Sequence, residues 1–207
     1  MNINPRIIFF VLFALAASLA IAQPSDNTKS RTASEMVEGL HAELLQVMKD
    51  ADELGYAGRY QQLQPVIKSN FDLQALAKSS VRGYWDEFTP AQQQRFLEDF
   101  QRLSIDTYAQ RFDGFNGETF KTLEENAVAR GNHQVKTQLI KADGEKISLV
   151  YILRPEGQSW RIVNVVAQGV SDLALKRSQY VGVLKKQGVE AFLARIQAQA
   201  EALPAFK

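Results

Sequence analysis

The sequence predicts an α+β domain, in which helices are followed by a curved antiparallel sheet of four strands and by closing helices. Apolar residues recur at helical spacing from Ala33 to about Phe112, and the period becomes strand-like from Thr119 onward. The segment 146–180 organises the chain, because its two strands are apolar on both faces and must be covered on both. Helices can cover one face, and the other face requires more protein, a partner or an apolar ligand.

Residues 1–22 predict a cleavable secretory signal peptide. Arg6 supplies the positive start, the following run is apolar and uncharged, and Ala20-Ile21-Ala22 has the small residues of a cleavage site. The apolar run is short for a spanning helix, which favours a cleaved signal peptide. The alternative is an uncleaved N-terminal anchor. The mature chain then begins at Gln23, with a polar, mobile leader over 23–32 and a single domain over 33–203.

Three helices are predicted before the long one. The first lies within Ala33–Asp50, the second lies around residues 60–67, and the third spans Phe71–Val81. Asp72 is placed to cap the third helix, which ends near Gly83.

The longest helix begins after Thr89. The sequence Thr89-Pro90-Ala91-Gln92 combines an N-cap, a proline at the first helical position and a glutamine that completes a capping box. The helix should run to about Phe112 and stop at Gly114. Nine of the 20 aromatic residues fall within 84–120, which indicates either an aromatic core or the wall of a large apolar cavity.

Short turns between the strands make the sheet an antiparallel meander. Gly131-Asn132 and Asp143-Gly144 suit two-residue hairpins, and Pro155-Glu156-Gly157 suits a type I turn. After the sheet, Ser171 caps a helix, Gly188 breaks it, and a last short helix follows. The predicted strands are Thr119–Glu125, His133–Lys141, Glu145–Arg154 and Ser159–Ala167.

Composition excludes several classes of protein. Removing residues 1–22 from the 207 leaves 185, with 23 basic and 23 acidic residues, so the whole chain lacks the positive charge typical of nucleic-acid binding. The absence of cysteine excludes disulfides, thiolate metal sites and a lipid-modified cysteine. An exported chain of this kind indicates a soluble protein of a bacterial periplasm.

The sequence offers no convincing catalytic, metal or cofactor site. His41 and His133 lack partners at metal-ligand spacing and are interpreted as structural or surface residues. Ser171 is explained as a helix cap, and Glu124-Glu125 are strand neighbours that point to opposite faces. No glycine-rich loop suits a phosphate.

Short motifs follow one another in a distinctive order. They are Phe71-Asp72-Leu73, Trp85, Phe88-Thr89-Pro90-Ala91-Gln92, Phe96, Phe100, Thr107-Tyr108-Ala109 and the segment 160–171, WRIVNVVAQGVS. This order resembles the MlaC family of periplasmic phospholipid-binding proteins, also known as toluene-tolerance auxiliary components, across essentially the whole mature chain. The family more often has Asp at the position of Asn164. The segment 171–180, SDLALKRSQY, is similar to the hopanoid-associated HpnM branch, which implies a hopanoid or related polycyclic lipid as cargo.

The resemblance implies an NTF2-like fold with lipid tails between the curved sheet and the helices. It also implies a non-catalytic carrier whose partners are an inner-membrane ABC-type or RND-type exporter and an outer-membrane acceptor. Two alternatives stay open. An enzyme on the same fold needs a titratable group deep in the cavity, and a ligand-free adaptor is favoured if the cavity is too small for a lipid.

Candidate cavity-lining residues come from the long helix, the last two strands and the following helix. Alternation along the last strand groups Trp160 with Ile162, Asn164 and Val166. We expect the faces bearing Tyr151 and Trp160 to line the cavity, because aromatic rings combine apolar area with a polar tip. The candidates are Phe96, Phe100, Leu103, Tyr108, Phe112, Leu149, Tyr151, Leu153, Trp160, Ile162, Val166 and Tyr180.

Overall fold

The structure is a computed structural model that describes residues 31–204. The expected signal peptide, the cleavage site and most of the expected leader lie outside the described residues. Over residues 31–204, none of the helices has both the length and the apolar character that crossing a bilayer requires.

The predicted α+β class is confirmed: the described residues form an antiparallel sheet with helices packed on it. The sheet has five strands in sequence order rather than four, because residues after the fourth strand turn back and pair with it. The elements are α1 (Ala33–Lys49), α2 (Ala51–Asn70), α3 (Leu73–Val81), α4 (Pro90–Arg111), β1 (Thr119–Ala127), β2 (His133–Ile140), β3 (Lys146–Glu156), β4 (Ser159–Ala167), β5 (Val170–Ser171) and α5 (Asp172–Glu201).

The three predicted helix caps are confirmed. A carboxylate oxygen of Asp72 accepts a hydrogen bond from a backbone N–H in the first turn of α3 at 2.9 Å. Thr89 and Gln92 form a reciprocal capping box at the start of α4. The Ser171 hydroxyl accepts from the Ala174 N–H at 3.1 Å. Each cap satisfies a backbone donor that has no partner inside its helix.

Two helices bend sharply at glycine. Gly55 in α2 has φ 55° and ψ −174°, and Gly188 in α5 has φ 80° and ψ 179°. This backbone region is open essentially to glycine alone. The break predicted at Gly188 is confirmed, whereas α2 begins well before the predicted second helix.

The first two hairpin loops are longer than predicted. A two-residue type I′ turn needs positive φ at both central residues, but Asn132 is extended with φ −76°. The Val128 N–H donates to the Asn132 carbonyl at 2.8 Å, which leaves the three-residue loop 129–131. In the next hairpin the Lys141 N–H donates to the Glu145 carbonyl, which leaves the three-residue loop 142–144.

The third turn lies two residues later than predicted. Pro155 is part of β3 and pairs with Trp160, and the chain reverses at Gly157-Gln158. The pairing of β2 with β3 ends at Leu153. Pro155 lacks a backbone N–H, but β2 does not extend alongside it, so no hydrogen bond to β2 is lost and the strand continues through Pro155.

A bulge at Val163 exchanges the two faces of β4. Ile152 pairs with Asn164, but the next residue, Leu153, pairs with Ile162, so Val163 has no partner in β3. An extra residue reverses the alternation beyond it. Val165 therefore lies on the same face as Ile162, where strict alternation predicts Val166.

The inward face of the sheet packs on the helices to form one apolar core. Tyr151, Leu153 and Ile162 are buried there, while α4 and α5 supply an aromatic cluster around Phe96 and Phe192. Val150, Ile152 and Val166, which lie on the opposite face, are half-buried and stay outside this core. The helices therefore cover one face of the sheet.

Candidate functional site

An apolar cavity of about 70 Å³ lies between the inward face of β4 and helices α2 to α5. The start of α3 is held against β4, because the Asp72 N–H donates to the Ile162 carbonyl at 3.0 Å and Phe71 bridges Ile162. The apolar lining consists of Ile67, Phe71, Leu73, Leu76, Phe100, Tyr108, Ile162, Val165, Ala167 and Leu173.

The polar lining of the cavity comes mainly from α4 and α5. Thr107 and Arg111 lie one turn apart on α4, and Asp172 and Lys176 lie one turn apart on α5. The Lys176 ammonium is 3.0 Å from a carboxylate oxygen of Asp172. The cavity is therefore apolar over most of its wall, with a charged edge where these two helices face it.

Three of the twelve residues predicted from the sequence line this cavity, namely Phe100, Tyr108 and Ile162. Leu103 and Tyr180 line a neighbouring groove between α4 and α5. The other seven lie outside both, and they are Phe96, Phe112, Leu149, Tyr151, Leu153, Trp160 and Val166. Of these seven, Phe96, Tyr151 and Leu153 are buried in the core.

Trp160 and Val166 lie away from the cavity for different reasons. The Trp160 indole N–H donates to the Arg31 carbonyl at 2.9 Å, and its ring lies 4.3 Å from that of His133, near the N-terminus of the described chain. Val166 lies on the opposite face because of the bulge at Val163.

Of the two faces expected to line the cavity, only Ile162 and Asn164 of β4 reach it, and β3 contributes no lining residue. Tyr151 and Leu153 of β3 face the helices but are buried in the core beside the cavity.

Sequence reasoning missed the lining residues Val165 and Ala167, because their inward direction depends on the bulge. It also missed Leu73 and Leu76 on α3 and Leu173 on α5. The helical spacing of the two α3 leucines was a usable signal, since i and i+3 lie on one face. No local signal identified Leu173.

The neighbouring groove has a volume of about 680 Å³ and a mainly polar lining. Thr107 and Lys176 line both the cavity and the groove, so the two spaces adjoin through these side chains. The groove also carries Lys186 and Arg195 from the two halves of α5. An apolar space and a larger polar space thus lie side by side between α4 and α5.

The phenols of Tyr108 and Tyr180, two half-buried residues at the site, stay neutral at ordinary pH. Burial raises the pKa of Tyr108 well above its usual value, and burial together with Asp172 raises the pKa of Tyr180 to about 12. Within residues 31–204, no three metal-ligating side chains lie close together. The charged groups that reach the cavity belong to its edge on α4 and α5.

Both histidines have structural contacts. His41 is 3% exposed, stacks on Phe120 and lies 3.0 Å from the hydroxyl of Tyr151. His133 lies 2.6 Å from a carboxylate oxygen of Glu125, a cross-strand neighbour that sequence spacing did not reveal. His41 is therefore a structural residue of the core and not a surface residue.

The comparisons with known proteins agree on one family. A family model described as MlaC protein matches residues 38–198. The intermembrane phospholipid transport system binding protein MlaC of Haemophilus influenzae is 26% identical, covering 94% of this chain and 91% of its own length. The toluene tolerance protein ttg2D of Pseudomonas putida is 25% identical, covering 82% of this chain and 81% of its own length.

The fold also matches a solved structure. The phospholipid-binding protein of Ralstonia solanacearum, determined in complex with a phospholipid, has a TM-score of 0.70 to this chain at 21% identity. The match covers 80% of this chain and 97% of the other. At this identity the likeness concerns the fold.

Proposed function

This chain belongs to the MlaC family, and from that premise we propose that it carries a hopanoid or a phospholipid through the bacterial periplasm. Its relatives are named for binding and transport, and the chain is a binding protein rather than an enzyme. The observation that carries the proposal is the apolar cavity between β4 and α2–α5, with its charged edge at Asp172 and Lys176.

The mechanism is non-covalent. Acyl chains or a polycyclic skeleton enter the cavity and are stabilised by about 25 cal/mol per Å² of apolar surface removed from water. The polar end of the lipid stays at the charged edge, because burying it without partners costs free energy. The neutral phenol of Tyr108 and the charges at the edge leave no ionised group deep in the apolar wall, which weighs against the enzyme alternative.

Cargo binding requires the cavity to widen. Its volume of about 70 Å³ is well below the roughly 300–1,000 Å³ of pockets that hold drug-sized ligands. The first half of α5 is the wall best placed to move, because Gly169 and Gly188 flank it with φ 79° and 80°. Displacing Lys176 joins the cavity to the groove beside it.

The small volume also favours a second candidate function, a periplasmic adaptor that binds protein and no lipid. The carrier is preferred because its relatives are a phospholipid transport protein and a phospholipid-bound structure. For the cargo itself, those names support a phospholipid, and the similarity of residues 171–180 to the HpnM branch supports a hopanoid.

The test is native mass spectrometry with lipid extraction, applied to protein purified from the periplasm of its own host. A bound phospholipid or hopanoid supports the carrier and identifies the cargo. A folded protein that never contains lipid, and takes none from vesicles, contradicts the carrier and leaves the adaptor. Chemical change of a lipid during incubation favours the enzyme.

Location, domain limits and partners are proposed on the same premise. We expect the mature protein to begin at Gln23, to be soluble in the periplasm and to form one domain over 33–203. N-terminal sequencing of a periplasmic extract tests this, and recovery of the intact chain in the membrane pellet contradicts it. In-cell crosslinking tests for an ABC-type or RND-type inner-membrane exporter and an outer-membrane acceptor.

A further inference from the structure

We propose that the groove between α4 and α5 receives an anionic, phosphate-bearing head group of the cargo, with Lys186 and Arg195 as the side chains that select it. The inference rests on the proposed function and goes beyond it by assigning the class of lipid. It predicts a preference for head groups of net negative charge over zwitterionic ones.

The apolar cavity and the groove are contiguous. Thr107 and Lys176 each line both the apolar cavity and the groove, so a single layer of side chains separates the two spaces. A lipid has an apolar part joined directly to a polar part. If the tails of the lipid occupy the cavity, its head group can lie in the groove once the side chains of Thr107 and Lys176 move aside. The lipid then does not have to cross the rest of the core.

The groove carries more basic than acidic side chains. The groove is lined by the cations Lys176, Lys186 and Arg195 and by one acid, Asp106. Lys176 is paired with Asp172. Among residues 31–204, neither Lys186 nor Arg195 forms an ion pair. Two uncommitted cations therefore border the groove, and a concave wall of one sign concentrates a counter-ion there.

The single acid of the groove is already occupied. The carboxylate of Asp106 accepts hydrogen bonds from the Tyr56 hydroxyl at 2.8 Å and from the Gln110 amide at 2.8 and 2.9 Å. Its lone pairs are thus turned to protein donors. It is a poor partner for the ammonium of a zwitterionic head group, because that ammonium would have to displace these donors.

The side chains of Arg195 and Lys186 suit a phosphate group. A guanidinium group presents a planar fork of N–H donors that matches two phosphate oxygens, and an ammonium group adds a point charge. The side-chain amides of Gln179, Gln187 and Gln199 also line the groove and offer neutral hydrogen bonds to a glycerol head. This set suits a phosphate with a hydroxylated substituent.

The opposite side of α5 supplies a matched control. A second groove of about 420 Å³ is lined by Arg82, Arg177 and Lys185. It meets the groove between α4 and α5 at Gly182, but it shares no residue with the apolar cavity. Lys185 and Lys186 are adjacent in sequence and both exposed. If general surface charge attracted anionic lipid, replacing either lysine would weaken the preference equally. The proposal instead expects the preference to depend on Lys186 and not on Lys185.

The experiment offers delipidated full-length mature protein a choice of two lipids. Vesicles contain equal amounts of phosphatidylglycerol and phosphatidylcholine with identical acyl chains, and the captured lipids are quantified after the protein is re-isolated. We expect enrichment of phosphatidylglycerol by the wild type. The double variant Lys186→Gln/Arg195→Gln should lower that ratio roughly fivefold, the size that two partly exposed ion pairs supply, with total lipid per protein unchanged.

Two further variants and a melting curve for each protein complete the test. Lys185→Gln should keep the wild-type ratio. The inference is overturned if the double variant also keeps it, or if Lys185→Gln lowers it equally. It is also overturned if Arg111→Gln, at the other end of the charged edge, removes the preference instead. Because both groove cations are exposed, the double variant should melt like the wild type.

A last arm separates a lipid head group from free phosphate. Sodium phosphate at millimolar concentration, without lipid, should not raise the melting temperature of the wild type above that of the double variant. A rise that needs Lys186 and Arg195, together with equal capture of both lipids, makes the groove a free-phosphate site and overturns the inference. Failure of the folded wild type to capture either lipid overturns the inference and contradicts a phospholipid cargo. The carrier function itself fails only if the same protein also takes up no hopanoid from vesicles.

Discussion

Tyr151 of β3 lies directly opposite Val165 of β4, whereas strict alternation from Trp160 places Val166 on that face. The difference arises at Val163, the bulge residue that has no partner in β3. Because the side-chain period of a strand is two, one extra residue exchanges every later side chain between the faces. The lining of the cavity over the second half of β4 therefore depends on this single bulge.

Val165→Trp should sharply reduce the lipid retained per mole of protein. The cavity has a volume of only about 70 Å³ and must widen to hold a lipid, and the added indole fills that space. If the walls cannot give way, overpacking costs about 1–3 kcal/mol of stability as well. Val166→Trp is the matched control, one residue along on the other face. Co-purified lipid and a melting curve measure both, and equal loss of lipid in the two variants contradicts the assigned faces.

Gly188→Ala should lower the free energy of unfolding by about 1–3 kcal/mol, because φ 80° with ψ 179° strains any residue that has a Cβ. Gly182→Ala, in the same helix, should raise it by about 0.4–1 kcal/mol, since an added Cβ there meets no atom within 4 Å. Urea unfolding of both variants gives the two values. If both variants change the free energy of unfolding in the same direction, the bend of α5 at Gly188 is contradicted.

The stability of the fold should depend on the protonation of His41. Burial lowers the pKa of His41 from 6.5 to about 4. Between pH 6.5 and 4 the unfolded chain therefore binds a proton at this residue that the folded chain does not. The free energy of unfolding should fall by about 1.4 kcal/mol for each unit that pH decreases in this window.

His41→Gln removes that titration and can still hydrogen-bond the Tyr151 hydroxyl, which lies 3.0 Å from the imidazole in the wild type. Urea unfolding of both proteins at pH 7, 5.5 and 4.5 isolates the effect as a difference, since the carboxyl groups are common to both. Parallel pH profiles would show that His41 does not titrate in this way. Lipid retention at pH 7 should be nearly unchanged in the variant.

Ser171→Ala should cost about 1 kcal/mol of stability, because it removes the cap of α5. It also removes the hydrogen bond that the Ser171 hydroxyl donates to the Asn164 amide oxygen at 3.0 Å. Ser178→Ala, at an exposed site on the same helix, should change stability by less than about 0.5 kcal/mol. Lipid retention should survive both changes. If Ser171→Ala instead blocks turnover of a lipid while binding persists, the carrier proposal fails.

The features that sequence reasoning predicted correctly are set by a few neighbouring residues. Asp72, Thr89 and Ser171 cap their helices with side chains that reach backbone donors three residues away. Gly188 breaks α5 because no other residue type tolerates its φ and ψ. The bounds of β4, Ser159–Ala167, also agree with the sequence, since apolar content and a glycine-containing turn delimit the strand locally.

The tertiary structure decided what depends on distant partners. The bulge at Val163 follows from how β3 and β4 pair, and Pro155 stays in its strand because β2 ends opposite Leu153. The contact of His41 with Tyr151 joins residues 110 apart. The adjoining of cavity and groove at Lys176 requires α4 and α5 to meet. Such relations depend on which packing of the whole chain has the lowest free energy. They therefore cannot be predicted from the residues of any one short segment.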